Sequence, residues 1–270
     1  MKNSFVLFVL FLFIQIFALG QDMQDKKGIK LQHLAASIQS DSILDDRMKS
    51  DSIFTKNLVS VLKNDHSFDF DFDSLKSIKH LVSPDKKFKI FTWQVDLGDG
   101  TYRQRGAIQM NTTDGKLLLY PLFDQSDFVP NISLGVNDRK HWVGAIYYDI
   151  IPVLSNKDTL YTLLGYDENT NGITRKIIEI LQFIHNEPVF GGDYFDYPKD
   201  PVFPMGPVDR FVYQYKKGSN ARIEFLIDSK LIAISELTSL DKDLTQPNTL
   251  VPSGNDLYLK WINEKWTMIN

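Results

Sequence analysis

Cysteine is absent from all 270 residues. That single absence removes disulfides, thiolate nucleophiles, Cys-ligated zinc and thiol redox chemistry together. A basic excess is absent as well: Lys and Arg number 30 against 34 Asp and Glu, a formal charge of −4. Proteins that neutralise nucleic-acid phosphates show the opposite imbalance, so nucleic acid is not the expected partner. Histidine is scarce. His33, His66, His80, His141 and His185 are scattered, and no two stand at the H-x-H or H-x-x-x-H spacing that chelates a transition metal locally. Neither G-x-S-x-G nor a phosphate-loop fingerprint occurs. Beyond the first twenty residues, no apolar run approaches the ~20 residues of a membrane span.

The first twenty residues carry the clearest signal. Lys2 supplies a positive start, Phe5 to Phe17 is apolar except for Gln15, and Ala18-Leu19-Gly20 places small residues at −3 and −1 of a cut before Gln21. This is the layout of a secretory signal peptide, so residues 1–20 are expected to be removed and the protein to be periplasmic or secreted. No Cys follows the cut, so no lipoprotein anchor is expected. An exported protein without cysteine suits a bacterial periplasm better than a eukaryotic secretory route.

Residues 21–65 read as a helical segment packed on the main domain. Ile29, Leu31, Leu34, Ala35 and Ile38 fit one helix face, Ser40-Asp41-Ser42 forms a break and cap, and Ile43, Leu44, Met48, Phe54, Leu58, Val59 and Leu62 mark a second helix. Asp41, Asp45, Asp46 and Asp51 disfavour an anionic membrane as its partner. Past residue 65 the period changes to 2. His66 to Asp73 alternates strictly and predicts an extended segment with Asp69, Asp71 and Asp73 on one face, where a cation or basic neighbour would relieve their repulsion. Ser83-Pro84-Asp85-Lys86-Lys87 reads as a turn. Strands at 88–95, 102–110 and 116–121, joined at Gly98-Asp99-Gly100 and Asp114-Gly115, predict a meander. Further strands are expected at 142–151, 159–166, 174–183, 210–215, 221–227 and 230–234. A closing hairpin, 257–261 and 265–269, turns at Asn263-Glu264. Residues 186–209 read as one long loop. The fold class is therefore mainly β (α+β), with residues 66–270 forming an antiparallel domain. Meander, barrel and sandwich stay open.

Several segments, in order, resemble a family of uncharacterised secreted proteins of Bacteroidota. They are Ser83-Pro84-Asp85-Lys86-Lys87-Phe88, Ile90-Phe91-Thr92-Trp93, Trp142-Val143-Gly144-Ala145-Ile146-Tyr147-Tyr148 and Tyr161-Thr162-Leu163-Leu164-Gly165-Tyr166-Asp167. The resemblance covers roughly residues 60–230. It implies an envelope location and no activity. It also draws attention to Asp-Ser/Thr-aliphatic triplets at Asp41, Asp51, Asp73 and Asp158, which resemble a bacterial O-glycosylation signal.

Candidate chemistry is sparse. Asp167-Glu168-Asn169-Thr170-Asn171-Gly172 matches the first half of a calcium loop, making Asp167, Asn169 and Asn171 candidate ligands. The twelfth position, however, is Ile178 rather than the required Glu, and a polar hairpin turn explains the same residues. No cofactor is otherwise expected. In Phe190-Gly191-Gly192-Asp193-Tyr194-Phe195-Asp196-Tyr197, Asp193 and Asp196 form a candidate carboxylate pair for glycoside or peptide hydrolysis, with His185 nearby as a base. Tyr194, Phe195 and Tyr197 are candidate ligand-stacking rings. The leading expectation is a non-enzymatic protein that binds a small ligand or an envelope protein, and it predicts an exposed aromatic groove. An envelope glycan or peptide hydrolase with its site in 186–209 predicts converging acids. A structural or assembly accessory predicts a flat apolar patch.

Overall fold

The computed structural model describes residues 28–155, 158–170, 172–196 and 208–269. Two helices come first: α1 (28–40) and α2 (Leu44–Leu62). Leu31, Ala35 and Ile38 of α1 and Phe54, Leu58, Val61 and Leu62 of α2 are buried at helical spacing, whereas Ile29, Ile43 and Leu44 are exposed. The α2 stripe continues toward its N-terminus as Asp51 and Arg47 rather than as apolar residues. Both are buried because both have partners. Arg47 donates to the Asp96 carbonyl at 2.8 Å and the Asp41 carbonyl at 2.7 Å. Asp51 accepts from the Trp93 indole at 2.7 Å and from Arg105 at 3.0 Å.

The helices cover one face of an antiparallel meander in the order β1 (Lys79–Val82), β2 (Phe88–Asp96), β3 (Tyr102–Met110), β4 (Leu118–Phe123). Strand alternation sends Phe91, Trp93 and Val95 of β2 toward the helices and Phe88 and Ile90 the other way, so β2 is buried on both faces. The expected extended segment at 66–73 is not a strand. It holds a single 3-10 turn, Ser67–Asp69, followed by irregular chain. The reason is Lys89. Its buried ammonium takes the Phe68 and Phe70 carbonyls at 2.8 and 2.9 Å and sits 5.3 and 5.0 Å from the centres of the Phe68 and Phe72 rings. Backbone acceptors that a neighbouring strand would use are turned onto one cation, and Phe68 and Phe72 alternate because they cage it. Burial lowers the Lys89 pKa, while Asp69, Asp71 and Asp73 act to raise it. This is the basic neighbour that the acidic row calls for.

The second sheet has six strands: β5 (Asn137–Asp138), β6 (Ile146–Leu154), β7 (Thr159–Thr170), β8 (Ile173–Ile184), β9 (Glu187–Phe190) and β11 (Phe211–Lys216). Its order is β5-β9-β8-β7-β6, with β11 pairing the first half of β8. The third sheet runs β10-β15-β14-β13-β12, from β10 (Phe195–Asp196), β12 (Ile223–Leu226), β13 (Leu231–Ser239), β14 (Leu250–Ile262) and β15 (Lys265–Ile269). The closing hairpin turns at Asn263 and Glu264, both left-handed at φ 49° and 64°, as a two-residue primed turn requires. Trp261 and Trp266 face each other across it, with ring centres 5.6 Å apart.

None of the three sheets closes into a barrel. They stack as layers: helices, four-stranded sheet, six-stranded sheet, five-stranded sheet. The six-stranded sheet is covered on both sides. Tyr161, Leu163, Ile177 and Leu181 meet the meander, and Leu160, Leu164, Ile178 and Ile180 meet the last sheet. The 186–209 stretch is not one loop, because β9 and β10 lie within it.

Between the first two sheets lies a buried ion pair. Glu179 on β8 and Arg210 just before β11 meet at 3.0 Å, and neither side chain is exposed. Glu179 also accepts from the Tyr147 hydroxyl, which in turn accepts from the Trp142 indole at 2.8 Å. Burial, then the Glu179 charge, raise the Tyr147 pKa well above its ordinary value. We predict that Glu179→Gln lowers stability by about 3–5 kcal/mol, because it leaves the Arg210 charge buried and uncompensated. Urea unfolding at neutral pH measures it.

Candidate functional site

The sequence-based candidates do not converge. Asp193 is exposed and pairs with Lys265 at 2.7 Å. Asp196 is exposed on β10, opposite Thr267. His185 is exposed in the β8–β9 turn, left-handed at φ 51°. Phe195 is buried in the core between the last two sheets, so its ring is not presented to a ligand. Tyr197 and Asn171 lie outside the described residues, as does the side chain of Asn169. Asp167 is buried, and its carboxylate accepts from Gln104 at 2.9 Å and Arg175 at 2.8 Å. The run that matched a calcium loop is the tip of the β7–β8 hairpin, with a register shift between Asp167 and Thr170. Among the described residues, no three His, Asp or Glu side chains gather as a metal site.

Tyr194 is the candidate that the structure places at a cavity. A groove of about 380 Å³ opens at one end of the stack, where the β6–β7 turn, the β8–β9 turn and the β2 and β3 ends meet. Its volume falls within the ~300–1,000 Å³ of small-molecule sites. The β6–β7 side contributes Ser155, Asp158, Thr159 and Tyr161. The β8–β9 side contributes Gln182, Phe183, Ile184 and Asn186. Tyr194 closes it. Its hydroxyl donates to Gln182 at 3.3 Å, and its ring stacks on Trp261 at 6.4 Å.

The loop that holds Tyr194 is tightly specified. Gly191 donates to the Ile180 carbonyl at 2.8 Å, Gly192 to the Asp209 carbonyl at 2.9 Å, and the Tyr194 carbonyl accepts from Trp266 at 2.8 Å. Gly192 has φ 138°, and a Cβ there would lie 2.5 Å from the Tyr194 ring. Only glycine lets the backbone pass so close to the ring. Burial raises the Tyr194 pKa, so the phenol stays a hydrogen-bond donor at neutral pH.

The Ser83-Pro84-Asp85-Lys86-Lys87 turn reaches the groove through Lys87. The Ser83 hydroxyl donates to Asp85 at 2.8 Å and accepts from the Lys87 and Phe88 amides. Tyr161 reaches across from the second sheet and donates to Asp85 at 2.6 Å. Burial pushes the Asp85 carboxyl up, but the hydroxyls of Tyr161 and Ser83 and the Lys87 amide more than offset that, and its pKa ends below the ordinary value. The groove residues Lys87, Asp158, Gln182 and Asn186 were not singled out as site residues by sequence reasoning. Only the turn motif around Lys87 and the Asp158-Thr159-Leu160 triplet marked this neighbourhood.

Compared with protein-family models, curated protein sequences and solved structures, the chain matches none.

A testable consequence concerns the Tyr161–Asp85 bond. We predict that Tyr161→Phe costs about 1–2 kcal/mol at neutral pH, as for a hydrogen bond to a charged acceptor. The folded Asp85 pKa is depressed, so this stabilisation is fully present above about pH 3.8 and is lost as pH falls through the folded value. The wild-type minus variant difference in unfolding free energy should therefore shrink below that pH. A constant difference down to pH 2 would show that Asp85 is not the acceptor that matters.

Proposed function

We propose that this is an exported, non-enzymatic binding protein of the bacterial envelope, and that its ligand is a small molecule held in the groove beside Tyr194. Export rests on the signal-peptide layout of residues 1–20, and the envelope setting rests on the resemblance to secreted Bacteroidota proteins. The observation that carries the reading is the groove itself. It is formed by rigid strand ends and lined by a mixture of aromatic, aliphatic and neutral polar side chains. A glycosidase needs two carboxylates flanking its substrate. Among the described lining residues only Asp158 carries one, and Asp193 is paired with Lys265.

Native mass spectrometry tests both parts. The exported protein should begin at Gln21. After incubation with a low-mass extract of the growth medium, the wild type should retain a small molecule, and Ile184→Trp, which fills the groove from an exposed position, should bind it at least about tenfold more weakly. Equal retention by both proteins, or none by either, overturns the groove as a small-molecule site.

A further inference from the structure

We infer that the ligand of this groove is an uncharged mono- or disaccharide. The inference deepens the proposal above and rests on the groove being a small-molecule site.

The first argument is the charge of the walls. Among the described lining residues there is one cation, Lys87, and one anion, Asp158. The Lys87 ammonium lies 3.3 Å from the Asp85 carboxylate, so its charge is already answered within the wall. No described lining residue is Arg, the side chain whose planar fork recognises phosphate and carboxylate groups in pairs. Among the described lining residues, a nucleotide, a sugar phosphate or a uronic acid would meet no guanidinium and one ammonium already paired with Asp85, and burying its charge against so little counter-charge is costly.

The second argument is the supply of neutral donors and acceptors. The Tyr194 hydroxyl donates to Gln182 Oε1, which orients the Gln182 amide and leaves its N–H groups to donate. The Asn186 carbonyl accepts from Tyr120 at 2.5 Å, which fixes the turn, and Asn186 lines the groove with Ser155 and Thr159. Amides and hydroxyls each donate and accept, matching the paired character of sugar hydroxyls. Met110, Phe183 and Ile184 line the same space and offer apolar area to the C–H face of a ring.

Calorimetry and thermal unfolding of the exported protein test this with maltose, cellobiose and N,N′-diacetylchitobiose, against glucuronic acid, glucose 6-phosphate and dialanine. At least one neutral disaccharide should raise the unfolding midpoint by about 5–10 °C at a hundredfold excess over its Kd, while the charged sugars and the dipeptide leave it unchanged. Asn186→Gly keeps the left-handed turn (φ 65°) but removes the amide, and should weaken the sugar about tenfold. Asp196→Asn, exposed on β10 and not among the lining residues of the groove, should leave binding unchanged. Charged sugars binding as tightly as neutral ones, or no neutral saccharide producing a shift, overturns the inference. If neutral sugars fail while Ile184→Trp still displaces some other retained molecule, the groove stands and only the ligand class falls. If nothing is retained, both fall.

Discussion

The arrangement depends most on one buried charge pair, Glu179 with Arg210. A guanidinium fully removed from water needs a partner for every N–H, and Arg210 has them. Nε goes to Glu179. The other four N–H groups go to the carbonyls of Ile132, Leu134 and Gly135 and to the Asn137 side chain. Five donors and five acceptors are matched. The acceptors come from chain segments far apart in sequence, so the pair acts as a register pin. It fixes where β11 begins along β8, anchors the 132–137 segment that leads into the edge strand β5, and, through Tyr147, ties β6 to the same point. A hydrophobic substitute could fill the volume, but it could not select these carbonyls over others. In that sense the pair contributes specificity more than net stability.

The groove inherits its shape from that pin. Gly191 passes beside Arg210 so closely that a Cβ would lie 3.0 Å from the guanidinium, and Asp209 holds both Gly192 and Gly135 by hydrogen bonds. From there three residues lead to Tyr194, whose carbonyl is taken by β15. The position of Tyr194 is thus set from both sides, by the second sheet through the glycines and by the third through Trp266 and Trp261. A binding wall whose geometry is fixed before the ligand arrives avoids the ordering cost that a mobile loop would incur.

Much of the fold was legible because its signals are local. The β2–β3 and β14–β15 hairpins announce themselves by Gly-Asp-Gly and Asn-Glu turns between alternating runs, and the helix faces by 3.6-residue spacing. Two local signals are answered from far along the chain. At 66–73 the alternation of Phe with Asp is real but serves the Lys89 ammonium rather than a neighbouring strand, and nothing local says that a lysine twenty residues on will capture those carbonyls. At 167–172 the oxygen-rich run satisfies the first half of a cation loop, yet Asp167 is claimed by Gln104, sixty-three residues away. The stacking of three sheets was not legible either, because strand periodicity reports that one or both faces are buried, not what buries them. The candidate site was found only at Tyr194. Gln182 and Phe183 read as the end of a strand and Asn186 as the start of a long loop, and they become a wall only once β9 folds back beside β8.

The layer order explains why a cavity lies at this end of the stack. Where two β layers face each other with alternating inward residues, the interior packs densely, and here its polar groups are largely bound to each other: Glu179 with Arg210, Asp167 with Arg175 and Gln104, and the Thr92 hydroxyl accepting from the Tyr147 amide. Space for a ligand arises beyond the strand ends, where the backbone must turn. At that end the Ser83–Lys87 turn and the β8–β9 turn are held by two tyrosine hydroxyls, Tyr161 to Asp85 and Tyr120 to the Asn186 carbonyl. Each tyrosine plants its ring in the core between the first two sheets and sends its hydroxyl outward to a turn. The same core that excludes a ligand therefore sets the width of the opening that admits one. Substitutions deep in the sheet interface should therefore alter binding through these two rings, one of which, Tyr161, itself lines the groove.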